Sequence, residues 1–173
     1  MENRAFALGI GGNLGSVRDS IRFCADSLRE DLRVSDFRVS SLYRTQPWGS
    51  VKGGEFLNAA VCGMWLGTDR ELLELCRSIE TLRGAPVLKN GDSRTLDVDV
   101  LFLAGGVSSP ELVLPHPMMA ERKFVLVPLC EIWSQPVPGL NETPVDLLKR
   151  VDDSSSIIFE CNLYSGWQGA EQV

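Results

Sequence analysis

The sequence has little positive charge, a single histidine and no long apolar run. Its 173 residues include 17 Lys or Arg and 23 Asp or Glu, for a formal net charge of −6. That balance argues against nucleic acid as a default partner, because nonspecific affinity for it comes from cations on phosphates. A membrane span needs roughly 18–20 apolar residues, and no such run or signal peptide is visible. We therefore expect a soluble, cytoplasmic protein without a nucleic-acid or membrane partner.

The cysteines are few, odd in number and unpaired in spacing. No two of the five form a CxxC pair, and the pattern favours buried, reduced thiols over a metal or redox site. The hydrophobic content of 44% and charged content of 23% are those of a globular chain. The length predicts one domain with a core at about residues 5–150. The tail, about 152–173, has no clear period, and we expect partial disorder there.

Four strands and two helices are predicted in the order β-α-β-β-α-β. The strands are predicted at 5–10, 34–43, 56–66 and 95–103, and the helices at 16–30 and 68–82. Ser16 with Asp19, and Thr68 with Glu71, are capping-box patterns at the helix starts. This order predicts an α+β, ferredoxin-like fold with an antiparallel-dominated sheet and both helices on one face. C-terminal additions are predicted as an edge strand at 112–114 and helices at 124–133 and 145–151.

Two aspartates lie two residues apart in the last strong strand pattern. Asp97 and Asp99 would project from one face, about 6.5 Å apart along the backbone. Paired carboxylates in an apolar strand repel each other and lose solvation, and a bound Mg²⁺ would remove that conflict. Two solvated aspartates at an exposed strand end explain the spacing equally well. Arg94, just before the strand, could bind a phosphate held there, or it could pair with Asp92 on the surface.

Three further features add polar groups. His116, between two prolines, would supply local cations together with Arg94 and Arg122, although a surface loop is the more common place for such a histidine. Asn58 lies in an otherwise apolar strand, where it is either a satisfied core amide or a ligand contact. The turn at 11–15 resembles a phosphate cradle but lacks a Walker lysine, so we interpret it as a tight strand-to-helix turn.

Taken together, these segments resemble the 6-hydroxymethyl-7,8-dihydropterin pyrophosphokinase family of folate biosynthesis. They occur in the family's order and spacing across about residues 5–150. The matching segments are Gly12-Asn13-Leu14-Gly15, Ser41-Leu42-Tyr43-Arg44-Thr45, Phe56-Leu57-Asn58-Ala59-Ala60, Arg94-Thr95-Leu96-Asp97-Val98-Asp99, and Pro115-His116-Pro117 with Arg122 and Phe124. The family's ferredoxin-like fold agrees with the element order above.

The resemblance implies an ATP- and Mg²⁺-dependent enzyme that transfers pyrophosphate from ATP to 6-hydroxymethyl-7,8-dihydropterin and releases AMP. It implies that two Mg²⁺ ions bind Asp97 and Asp99, which with Arg94 form the catalytic group. The ATP-binding residues that it implies are Arg94, Val100, Leu112, His116, Arg122 and Glu80. The pterin-binding residues that it implies are Thr45, Pro47, Trp48, Phe56, Asn58 and Phe124.

The sequence departs from the family pattern in one loop, at 85–93. Where members usually carry a basic residue after the glycine at position 84, this chain has Ala85. Where they carry Trp-Gly-Pro before the site arginine, it has Gly91-Asp92-Ser93. Two alternatives therefore stay open: a catalytically weak relative that binds pterin or nucleotide, and a ferredoxin-like two-metal nucleotidyl transferase.

Overall fold

Strands and helices make up most of the described part of the chain. The structure, a computed structural model, describes residues 2–46, 54–84 and 93–164. The strands in these ranges are β1 Arg4–Gly12, β2 Val34–Val39, β3 Leu42–Thr45, β4 Phe56–Trp65, β5 Asp97–Leu103, β6 Val107–Ser108, β7 Val113–Leu114 and β8 Ile157–Cys161. The α-helices are α1 Val17–Glu30, α2 Asp69–Leu82, α3 Lys123–Ile132 and α4 Pro144–Arg150, with a 3₁₀ turn at Met119–Glu121.

The main sheet is antiparallel, with β1 and β4 at its centre. Its strand order is β5-β1-β4-β3-β8, and β2 also pairs with β4. Because β2 and β3 bond to successive parts of β4, they occupy the place of one strand. The resulting arrangement confirms the predicted ferredoxin-like α+β fold.

Each face of the sheet carries its own apolar core. On one face Phe6, Leu8 and Ile10 pack with buried residues of α1 and α2, which confirms that these two helices share a face. On the other face Ala7 packs with buried residues of α3 and α4, and Phe102 does the same from β5. The alternation along β1 therefore sends successive side chains into different cores.

The prediction of a single strand at 34–43 is wrong. It is divided into β2 and β3, because the register against β4 shifts between Ser35 and Arg38 and Asp36 has a positive φ of 51°. At Ser40 a side-chain hydrogen bond takes the place of a backbone hydrogen bond between the strands. The Ser40 hydroxyl accepts from the Ala60 N–H at 2.9 Å. The sequence alternation continues through this irregularity and does not reveal it.

The prediction of an added edge strand near 112–114 also needs correction. The strand near 112–114 does not extend the main sheet, since β7 pairs with β6 in a separate two-stranded sheet. Within the tail, Ile157–Cys161 form β8, which pairs with β3 and lies at an edge of the main sheet. Residues 165–173 lie outside the described part of the chain.

The two capping-box patterns behave differently. Thr68 and Glu71 form the complete box at the start of α2. Ser16 makes no capping bond to a helix N–H, and its hydroxyl donates to the Asp19 carboxylate at 2.6 Å. The predicted core face of α2 also ends one turn early, since Leu82 is 75% exposed.

This difference gives a stability prediction. Replacing Thr68 with Ala is expected to lower the free energy of unfolding by about 1 kcal/mol, because the Glu71 N–H loses its acceptor. Ser16→Ala is the matched control and should cost less, since no helix N–H depends on that hydroxyl. Urea unfolding measures both variants, and equal losses would contradict the assignment.

The five cysteines are free thiols, three of them buried and two partly buried. Burial raises the pKa of Cys24, Cys62 and Cys76. Such thiols are poor nucleophiles and metal ligands. Within 2–46, 54–84 and 93–164, no helix is both long enough and apolar enough to cross a membrane.

Candidate functional site

A cavity of about 330 Å³ opens on the α3 face of the sheet. Strands β1, β3, β4 and β5 contribute to its wall, and the segment before and within α3 closes one side. The lining residues are Gly9, Ile10, Gly11, Thr45, Gln46, Phe56, Asn58, Ala59, Arg94, Asp97, Asp99, His116, Arg122, Phe124 and Val125.

Strand pairing places the polar groups of the cavity on either side of a glycine strip. Gly11 of β1 pairs with Asn58 of β4 on one side and with Asp97 of β5 on the other. Two residues earlier, Gly9 pairs with Asp99. Neighbouring strands lie roughly 4.8 Å apart, so the rows of Asn58 and Asp97 are about 10 Å apart across the glycines. No side chain of β1 stands between them.

The two aspartates form the anionic end of the cavity, and each has an arginine beside it. Arg94 Nη1 makes an ion pair with Asp97 Oδ1 at 2.5 Å, and Arg122 Nη1 lies 3.9 Å from Asp99 Oδ2. Burial, and then the negative charge of Asp97, raise the pKa of Asp99, while His116 and the two arginines oppose that rise. The predicted pairing of Arg94 with Asp92 cannot be compared, since Asp92 lies outside the described residues.

The donor set fits a hard divalent cation. Asp97 and Asp99 offer carboxylate oxygens on one face of β5, and a cation there would relieve the repulsion that raises the pKa of Asp99. In the described part of the chain no group of three or more His, Cys, Asp or Glu side chains is suited to a metal ion. Mg²⁺ commonly takes one or two carboxylates from the protein and its other oxygens from phosphate and water.

Hydrogen bonds to backbone groups hold His116 in place. Its N–H donates to Leu101 O at 2.8 Å, and its Nδ1 accepts from the Met118 N–H at 3.1 Å. Because Nδ1 is an acceptor, the neutral ring carries its proton on Nε2 and can donate from there. His116 lies in the loop between β7 and the 3₁₀ turn, is partly buried, and lines the cavity.

Asn58 is the buried polar group at the other end. It is 7% exposed, and its Nδ2 donates to Thr45 Oγ1 at 2.9 Å. The hydrogen bond uses one of its two N–H groups, so the amide retains donor and acceptor capacity. Phe56 and Phe124 also line the cavity, and Arg122 lies 5.8 Å from the centre of the Phe124 ring.

Most of the predicted site residues meet in this cavity. Those that line it are Thr45, Phe56, Asn58, Arg94, Asp97, Asp99, His116, Arg122 and Phe124. Val100 and Leu112 do not, because they belong to or pack against the core beneath α1 and α2. Pro47 and Trp48 lie outside the described residues, as do Ala85 and Lys89 of the divergent loop.

Glu80 lies near Asp97 and Asp99 but does not line the cavity. Its Oε1 accepts from the Val98 N–H at 2.8 Å, which ties α2 to β5. Burial raises the pKa of Glu80, and the charges of Asp97 and Asp99 raise it further. The side chain therefore reaches β5 from α2 and lies close enough to Asp97 and Asp99 for their charges to act on it.

Gly9 and Gly11, which line the cavity, were not predicted as site residues. Gly9 and Gly11 alternate along β1, and a glycine inside a strand often marks a close approach of a ligand or another chain segment. That signal was available in the sequence. The backbone N–H groups of Asn13 and Leu14 both donate to Arg94 O, at 2.9 and 3.1 Å, so they form a structural turn and not a phosphate cradle.

Comparisons with known proteins agree on one family. The profile of 7,8-dihydro-6-hydroxymethylpterin-pyrophosphokinase (HPPK) matches residues 7–134. The 2-amino-4-hydroxy-6-hydroxymethyldihydropteridine pyrophosphokinase of Methylorubrum extorquens is 39% identical over 148 residues, covering 85% of this chain and 93% of the relative. The protein of the same name from Bacillus subtilis is 37% identical over 136 residues, covering 78% and 81%.

Solved structures extend the likeness to the fold. The chain resembles a crystal structure of HPPK-DHPS in complex with substrates, with a TM-score of 0.62 and 12% identity, over 86% of this chain and 43% of that one. The Plasmodium falciparum HPPK-DHPS crystallised with pteroate gives a TM-score of 0.62 at 15% identity, with the same coverage. This chain therefore spans less than half of those proteins, and at such identities the likeness concerns the fold.

Proposed function

This chain belongs to the 7,8-dihydro-6-hydroxymethylpterin-pyrophosphokinase family and is a pyrophosphokinase of folate biosynthesis, and we propose that it transfers pyrophosphate from ATP to 6-hydroxymethyl-7,8-dihydropterin in this cavity. The observation that carries the proposal is the arrangement along β1. A paired-carboxylate end and a buried amide end face the same cavity, separated by Gly9 and Gly11. The products would be AMP and the pterin diphosphate.

The phosphate half is the end with Asp97 and Asp99. These two carboxylates would hold two Mg²⁺ ions, which supply charge neutralisation and alignment of the triphosphate. Arg94 and Arg122 flank the carboxylates and offer planar donors that match phosphate oxygens. The Nε2 proton of His116 adds a third donor from the loop before α3. Together the metal ions and the two arginines would offset the negative charge of the aspartates and of ATP.

The pterin half is the end with Asn58. Its free N–H and its carbonyl can read the amide-like edge of the pterin, and the bond to Thr45 holds the side chain in one orientation. Phe56 and Phe124 offer ring faces for stacking. The family resemblance adds Pro47 and Trp48, which lie outside the described residues, to the pterin contacts, and Glu80, Val100 and Leu112 to the ATP contacts.

Gly9 and Gly11, which lie between the two ends of the cavity, leave room for the two substrates to meet. The chemistry needs the hydroxymethyl oxygen in line with the β-phosphorus of ATP, and most of the rate gain in such transfers comes from positioning and electrostatics. With no side chain on Gly9 or Gly11, the two ends of the cavity are continuous. The enzyme would therefore hold the acceptor and donor side by side over β1.

The direct test is AMP formation from ATP, Mg²⁺ and the reduced hydroxymethylpterin. We expect AMP and pterin diphosphate in equal amounts, and loss of both when a chelator removes the metal. No AMP above a no-enzyme control at high enzyme concentration would sink the proposal. Pterin binding without turnover would instead identify a weak relative, as the divergent loop at 85–93 allows.

A further inference from the structure

The end of β1 contacts both halves of the site. Gly11 lies against the side chain of Asn58, such that an ideal Cβ added to it would be 2.6 Å from Asn58 Oδ1 and 3.3 Å from Leu57 O. Its φ is not in the left-handed region, so glycine is not needed there for backbone conformation. The missing side chain leaves room for the Asn58 amide in the orientation that Thr45 holds.

Gly12 makes the corresponding contact with the phosphate half. A Cβ added there would be 2.8 Å from Thr95 O and 3.0 Å from Arg94 O. These are backbone atoms, which cannot rotate away as a side chain can. Gly12 therefore permits the segment that carries Arg94 to approach β1 closely.

Asn13 completes the connection to Arg94. Its Oδ1 accepts from the Arg94 N–H at 2.8 Å, and its own N–H donates to Arg94 O at 2.9 Å. Leu14 N–H donates to the same carbonyl at 3.1 Å. Three hydrogen bonds thus fix the peptide groups of a residue whose side chain pairs with Asp97 in the cavity.

We propose that Gly11 positions Asn58, that Gly12 and Asn13 position Arg94, and that these three consecutive residues set the pterin half and the phosphate half separately. None of the three is a catalytic residue, since none carries a reacting group; Gly11 also lines the cavity. The naming of the two halves rests on the proposed function. The geometric content does not, because it concerns contacts within the protein.

The binding test uses adjacent glycines as controls for each other. Gly11→Ala is expected to weaken pterin binding at least about tenfold while changing ATP binding in Mg²⁺ less than about threefold. Gly12→Ala and Asn13→Ala are expected to do the reverse. Calorimetry with the hydroxymethylpterin and with ATP measures both constants on each protein. Equal weakening of both ligands in every variant would show a general structural effect and overturn the proposal.

An NMR test of the ligand-free protein reports the contacts directly. Gly11→Ala should shift the side-chain amide resonances of Asn58 and leave the backbone amide of Arg94 in place. Asn13→Ala should shift the Arg94 amide and leave Asn58 unchanged. Asn13→Asp keeps an oxygen acceptor and should restore the Arg94 amide toward its wild-type position. The reverse pattern, or no change at either residue, would overturn the proposal.

A double variant covers the case in which Gly11→Ala folds poorly. Adding Asn58→Ala removes the atom 2.6 Å from the new Cβ, so the double variant should recover stability relative to Gly11→Ala alone. Recovery would support the Gly11–Asn58 relation, and a further additive loss would contradict it. These results stand whether or not the wild-type protein forms AMP, so the two proposals can fail independently.

Discussion

Replacing Asp97 with Asn is expected to lower the rate of AMP formation by at least about 10³-fold, because the change removes a carboxylate that we propose binds Mg²⁺, and with it several kcal/mol of transition-state stabilisation. Asn keeps the size of the side chain but carries no charge. It would also leave Arg94 without its ion-pair partner in the cavity. Both effects act at the phosphate end, so pterin binding should change little.

The matched control is Glu74→Gln. Glu74 is an exposed carboxylate on α2 whose partner is Arg70, outside the residues that line the cavity. The same change of charge there should leave the rate near that of the wild type. Steady-state rates at saturating ATP and Mg²⁺ measure both variants. An Asp97→Asn enzyme with more than a tenth of the wild-type kcat would show that this carboxylate does not hold the metal.

The second large effect is expected at Asn58. Replacing it with Ala should weaken pterin binding roughly 10²-fold, because a site built to hydrogen-bond a polar edge discriminates strongly when its partner is lost. Thr45 Oγ1 would also lose its donor inside the protein. Calorimetric titration with the pterin measures the loss.

ATP binding provides the internal control for this variant. It should stay within about threefold of the wild-type value, since Asn58 and Asp97 lie on opposite sides of Gly11. Asn162→Ala is a second control, because that side chain accepts from Ser41 Oγ and does not line the cavity. Wild-type pterin affinity in Asn58→Ala would refute the assigned role.

Residues with strong local signals were predicted well. The two-residue spacing of Asp97 and Asp99 put both carboxylates on one face, and β5 presents them in that way. The capping box of Thr68 marked the start of α2 correctly because it depends on four consecutive residues. The division of 34–43 and the strand β8 were missed, since both depend on pairing with distant partners.

The position of Arg122 and His116 shows the same limit. Both were predicted to supply cations to the site, and both line the cavity. Their spacing in the sequence does not show which carboxylate each one approaches. Arg122 lies near Asp99 because α3 packs across β4 on that face of the sheet, a long-range contact.

The sequence by itself determined the order of the elements, the face of β5 that carries Asp97 and Asp99, and the family. These properties follow from local periodicity, capping and motif spacing. Only the tertiary structure decided that Gly11 lies between Asn58 and Asp97, and that the turn after it holds Arg94. The physical reason is that sheet neighbours come from pairing between segments more than 40 residues apart, which no local pattern encodes.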